Sequence, residues 1–265
     1  MTSMNQSTYL RRLLCGALVA FFAASGCATN KRNPELELRL KQAKSHFEIG
    51  IDHLDNGRYS LGLREFLIAE SFDPKDAKIQ VALAEAYMHK DKPEEAEAHL
   101  LRALEIYPPY HDARLSLSAL YLVTGRAPEA AVQARILADD PTFPATWRAL
   151  TNLGLAELAQ GNNAEARQHL ELAIEYNRSY WPALLNLGIL EKEEGRFLEA
   201  VSYFQEALEQ KPGPSARAEV NYRLAEIYVK LGKRDEAVGH LMTAVAQAPD
   251  GKWGKKSEEY LKILR

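Results

Sequence analysis

Small residues return along this chain at a spacing of about 34, and large apolar residues return with them at fixed offsets. Counting units from Ala43, Ala77, His111, Trp147, Trp181 and Ala218, the eighth place is Gly50, Ala84, Ser118, Gly154, Gly188 and Ala225. All are small, as required where two helix axes cross closely and a bulkier side chain would push them apart. The twentieth place is Gly62, Ala96, Ala130, Ala166, Ala200 and Ala237, and the twenty-seventh is Ala69, Ala103, Leu137, Ala173, Ala207 and Ala244. Between these lies the twenty-fourth place, filled by Phe66, Leu100, Ala134, Leu170, Phe204 and Leu241. In the third unit Ala134 and Leu137 exchange the usual order of size, which predicts loosened packing there.

Breaks fall where two helices per unit need them. Gly57, Gly125, Gly161, Gly195 and Gly232 mark the turn inside a unit, where a positive φ is easily reached after a helix end. The second unit uses Asp91-Lys92-Pro93 instead. Pro74, Pro108, Pro141, Pro212 and Pro249 end or follow the second helices, because proline cannot continue the hydrogen-bond ladder. Two steps are longer than the rest, from His111 to Trp147 and from Trp181 to Ala218, the latter with Gly213-Pro214-Ser215 in the added segment. Altered curvature is expected at both. After the last unit, Tyr260, Leu261 and Leu264 share one side of a short helix suited to cover the end of a stack.

Periodicity and punctuation together resemble the tetratricopeptide family over residues 43–251. The resemblance implies an all-α, right-handed superhelical solenoid of six helical hairpins plus a C-terminal capping helix. Its units are 43–76, 77–110, 111–144, 147–180, 181–214 and 218–251, with 252–265 as the cap.

The front of the chain is of another kind. Arg11 and Arg12 precede the apolar run Leu13 to Ala24, which is shorter than the roughly 20 residues needed to span a bilayer and reads as a secretory signal. Ala24, Ser25, Gly26 and Cys27 then resemble a bacterial lipobox, although Ala24 stands where Leu is usual. That resemblance implies removal of residues 1–26, palmitate-type acylation at Cys27, and a short tether over 27–42 running into the first helix. With no acidic retention signal at Ala28 or Thr29, it further implies an outer-membrane, periplasm-facing location. Several acyl chains on one residue anchor far more firmly than a single chain.

Composition narrows the chemistry. A net charge of −3 becomes more negative once Arg11 and Arg12 are removed, so no basic field attracts phosphates and nucleic acid is disfavoured. Cys15 and Cys27 are the only cysteines, which leaves the repeat body without a disulfide or a thiolate metal site. Seven histidines form no metal-binding or hydrolytic spacing, and His46 and His53 fall at inward places where core or boundary roles are expected. Phosphate loops and the turn of a nucleophilic serine are absent. The expectation is a protein without catalytic residues, metal, small-molecule substrate or cofactor other than the covalent lipid.

In tetratricopeptide solenoids the fifth, ninth and twelfth places face bound segments. Carried onto the first four units, these are Phe47, Ile51, Leu54; Val81, Glu85, Met88; Leu115, Ala119, Leu122; and Thr151, Leu155, Leu158. The apolar excess suggests capture of an amphipathic or hydrophobic segment through Phe47, Ile51, Val81, Met88, Leu115, Leu122, Leu155 and Leu158. Lys192, Tyr222 and Glu226 make the groove more mixed in the last two units. Signal, lipobox, short tether and six units together resemble the pilotin lipoproteins of type IV pilus secretins. That resemblance implies binding of secretin subunits, their multimerisation in the outer membrane, and pilus-driven twitching or gliding motility. A scaffold for peptidoglycan hydrolases or outer-membrane protein assembly is the alternative.

Overall fold

The computed structural model describes residues 33–264, so the signal segment, the lipobox, Cys15, Cys27 and tether residues 28–32 lie outside the described residues, while residues 34–42 of the expected tether are already part of the first helix. The described chain is all-α. Its helices are α1 (Pro34–Asp55), α2 (Tyr59–Phe72), α3 (Ala77–Met88), α4 (Pro93–Ile106), α5 (His111–Val123), α6 (Ala127–Ala138) and α7 (Thr146–Ala159). There follow α8 (Asn163–Tyr176), α9 (Trp181–Glu193), α10 (Phe197–Glu209), α11 (Pro214–Lys230), α12 (Arg234–Gln247) and α13 (Lys252–Leu264). Consecutive helices pair as hairpins and the hairpins stack as a solenoid. Odd-numbered helices also touch the next odd-numbered helix, whereas even-numbered helices touch only their neighbours in sequence. The side where alternate helices meet is the shorter arc, which makes the odd-numbered set the concave face.

Each hairpin closes where a small residue meets a large one. A Cβ added to Gly50 would lie 2.4 Å from the Phe66 ring, one on Gly188 2.5 Å from Phe204, and one on Gly154 2.8 Å from Leu170. These contacts are tighter than any real Cβ accepts, so glycine is required by the neighbour's volume. The third hairpin shows the expected loosening: of the six, its two helices contact each other least. Ser118, at the eighth place opposite Ala134, is buried and donates its hydroxyl to the Ala130 carbonyl at 3.0 Å. Leu137, fully buried, packs with Leu115, Phe143 and Ala149 across the next joint.

All six intra-hairpin turns share one backbone scheme. In the first, the Gly57 N–H donates to Leu54 O at 2.9 Å and the Arg58 N–H to His53 O at 2.8 Å, satisfying carbonyls the helix end leaves open. In the second, Asp91 takes the glycine's place with φ 56° and donates to Met88 O at 3.0 Å, while Lys92 donates to Tyr87 O at 3.1 Å.

The two longer steps behave oppositely. Between α6 and α7 the added residues fold inward: Phe143 is buried, and Asp140 accepts from the Thr142 hydroxyl at 2.6 Å and pairs with His111 at 2.9 Å. These partners, the Thr142 hydroxyl first, hold the Asp140 carboxyl down at about 2. That interface is the most extensive between neighbouring hairpins. Between α10 and α11, Lys211 is left-handed at φ 53° and Pro214 starts a longer helix, so Pro214 and Ser215 are helical. This interface is the least extensive.

The two ends of the stack differ in chemistry. Hairpins two to six bury their third, seventh and tenth places against the preceding hairpin, as with Ile79, Leu83 and Ala86. In the first hairpin the same places are Ser45, Ile49 and Asp52, of which Ser45 and Asp52 are exposed and Ile49 is 43% exposed. At the other end, α13 lays Trp253 and Leu261 against α11 and α12, with Leu261 packed on Ala225, Ala237 and Leu241.

Candidate interaction cleft on the concave face

The concave face opens into a cleft of about 480 Å³ between α3 and α5. Val81 and Met88 of α3 and Leu115 and Ala119 of α5 line it, and Arg148 of α7 closes one end. Helical spacing explains the lining, because fifth, ninth and twelfth places follow each other down one face of a helix. Glu85 and Asp112 bring two carboxylates to the wall, and Ser116 and His89 complete its polar part.

The eight groove residues expected from the sequence do not share one environment. Val81, Met88 and Leu115 border the cleft. Leu115 is only 6% exposed, however, and its main contacts are Leu137, Phe143 and Ala149, so it also fastens the third hairpin to the fourth. Phe47 packs its ring 5.8 Å from Phe66, and Ile51 joins the same cluster with Ile79 and Leu83. Leu122 packs beside Leu120 and Tyr121, and Leu158 beside Leu150 and Leu187. Leu155 is half-buried on α7, outside the cleft lining. The exposed groups inside the cleft are instead Glu85, His89, Asp112, Ser116, Ala119, Val123 and Arg148.

Charges on the later concave helices are largely satisfied internally. Lys192 donates to Glu226 at 2.7 Å, and Arg223 reaches Glu219 at 3.3 Å and Glu226 at 3.7 Å. Tyr222 packs against Trp253 and Tyr260 with ring centroids 5.2 and 6.1 Å apart. This end of the groove is knitted to the cap.

A second recurring feature went unread in the sequence. The fourth and twenty-third places join the two helices of a hairpin by a polar bond in four of the six units. His46 meets Glu65 at 2.8 Å, Gln80 meets His99 at 2.7 Å, Arg114 meets Gln133 at 2.9 Å, and Asn221 meets His240 at 2.9 Å. Burial pushes the His99 and His240 imidazoles below the ordinary range, and both stack on tyrosines, Tyr87 and Tyr228. The signal was available as polar pairs at a constant offset, but their residue types vary too much to form a column. Among the described residues, no group of three or more His, Cys, Asp or Glu side chains is placed to hold a metal ion.

Hairpins, size columns and concave cleft define a helical-repeat interaction scaffold. Tetratricopeptide-repeat models match residues 47–111, 120–183, 151–216 and 191–255, and the chain belongs to the tetratricopeptide repeat family. No curated protein matches it by sequence. Among solved structures it is similar to PilF of Pseudomonas aeruginosa, at 18% identity and a TM-score of 0.66 over 84% of this chain and 99% of that one. It is also similar to PilW, described as a widely conserved type IV pilus biogenesis factor, at 18% identity and a TM-score of 0.70 over 81% and 97%. A chain of the APC/C hetero-tetramer Cut9–Hcn1 gives a TM-score of 0.72 at 18% identity, over 88% of this chain and 44% of that one. At such identities the likeness is one of fold.

Proposed function

We propose that this protein is an outer-membrane lipoprotein adaptor of the pilotin type. It captures a secretin subunit on its concave face and carries it to the outer membrane, where the subunits multimerise into the ring of a type IV pilus. The observation that carries the reading is the apolar cleft between α3 and α5, which has the size and lining for an apolar or amphipathic segment. The lipobox ending at Cys27 supports the membrane address, and the fold shared with PilF and PilW over nearly their whole length supports the pilus setting.

Physically the task needs no chemistry beyond differential binding. Acyl chains on Cys27 hold the scaffold at the membrane, and about 0.8 kcal/mol per buried methylene makes that hold firm when several chains insert. The cleft shields an apolar stretch of the subunit until neighbouring subunits cover it.

Ala119 and Ser116 are the right places to test this, because both are exposed and line the cleft, whereas Leu115 is structural. Ala119→Arg with Ser116→Arg should leave helicity and the thermal midpoint close to the parent while lowering outer-membrane secretin multimers at least about tenfold. Unchanged multimers would remove the cleft from the mechanism. Mass spectrometry of the mature amino terminus checks the anchor separately, with an acylated Cys27 as the expected species.

A further inference from the structure

Glu85 is exposed at the ninth place of the second hairpin, in the wall of the cleft. Glu226 occupies the same place in the sixth hairpin, where Lys192 from the twelfth place of the preceding hairpin neutralises it at 2.7 Å. The residue that would do this for Glu85 is Leu54, which is buried and apolar. The Glu85 carboxylate makes no ion pair or hydrogen bond among the described residues. Asp112 adds a second carboxylate to the cleft, and the exposed Arg148 lies at its end.

An apolar segment lying across this cleft strips water from Glu85. Without a partner for the carboxylate that desolvation opposes binding, whereas a Lys or Arg on the segment converts it into a charge-assisted contact. We infer that the cleft selects a peptide segment carrying a basic side chain beside its apolar anchor, with Glu85 as the specificity-determining group. This rests on the proposed use of the cleft as a docking surface and adds the charge of its occupant. Val81, Met88 and Ala119 take the apolar anchor, and Glu85 with Asp112 takes the cation.

A random peptide library displayed on phage, selected on the immobilised full chain, tests this without knowledge of the natural partner. Enriched peptides should pair Lys or Arg with a nearby Leu, Met or Phe, and selection on Glu85→Lys should replace the basic residue by Asp or Glu. For a synthetic copy of the most enriched peptide, Glu85→Gln should weaken binding about tenfold. Changing the peptide's basic residue to Gln should weaken binding equally on the parent and have little effect on Glu85→Gln, since both changes remove one interaction. Enriched peptides that lack a basic bias, or effects of the two changes that simply add, overturn the inference and leave the cleft as a docking surface. No enrichment, or binding indifferent to Ala119→Arg, overturns it together with the docking reading.

Discussion

The volume of the residue at each hairpin's eighth place is matched to that of the one facing it. Glycine meets phenylalanine or leucine in Gly50–Phe66, Gly154–Leu170 and Gly188–Phe204, and alanine meets leucine at Ala84–Leu100 and Ala225–Leu241. Gly50→Ala would press a methyl into the Phe66 ring, and overpacking of this kind costs about 1–3 kcal/mol. Adding Phe66→Leu should recover most of that loss, since the pair then copies the second hairpin; chemical denaturation of the single and double variants measures it. Costs that merely add would show that the two places are not matched. The columns of small residues were legible in the sequence because each demands a single property. The looser third hairpin was legible for the same reason, since Ala134 stands where the other units place Phe or Leu, but that Leu137 reaches Phe143 across the next joint was not.

Within elements, the polar bonds between paired helices set a pH limit on the stack. Gln80 donates its amide N–H to Glu70 at 2.8 Å, which turns its oxygen toward His99 Nδ1; Asn221 donates to Arg217 O at 2.8 Å and accepts from His240 in the same way. Both imidazoles therefore donate from Nδ1, and burial favours their neutral form. Burial lowers the pKa of His99, His169 and His240 in the folded chain. Below the ordinary histidine pKa of about 6.5 the unfolded chain takes up protons that the folded chain refuses, so stability is complete above that pH and declines as pH falls through the folded values. The thermal midpoint should drop on going from about pH 7.5 to about pH 5.5. Replacing His99 and His240 by Gln should flatten that slope, and an unchanged slope would mean these groups do not titrate between folded and unfolded states. Sequence periodicity placed His46 correctly on an inward position, but it could not show which side chain waits on the facing helix.

At the scale of the molecule, the joints decide which hairpins move together. Chain length alone marked both long steps, yet their effects diverged: Phe143 and the Asp140 turn fill one, while the other adds a first turn to α11 and leaves its interface thin. Stacked hairpins couple only through their shared interfaces. Hydrogen exchange should therefore resolve α11 to α13 as a unit that opens separately from α1 to α10, with the boundary near Lys211. Uniform protection across that joint would contradict it. The boundary lies beyond the cleft, so opening there breaks the Lys192–Glu226 pair that spans it but leaves the cleft intact.

Ser45, Ile49 and Asp52 have a consequence for how such an array changes length over generations. A duplicated hairpin inserted among the later units meets apolar neighbours on both sides and can be absorbed at once. A copy placed ahead of α1 would press its apolar face on an exposed serine and aspartate, and would need those residues to change first. Growth of this lineage is thereby directed away from its first hairpin, which keeps the cleft at a constant number of hairpins from that end whatever is gained beyond it.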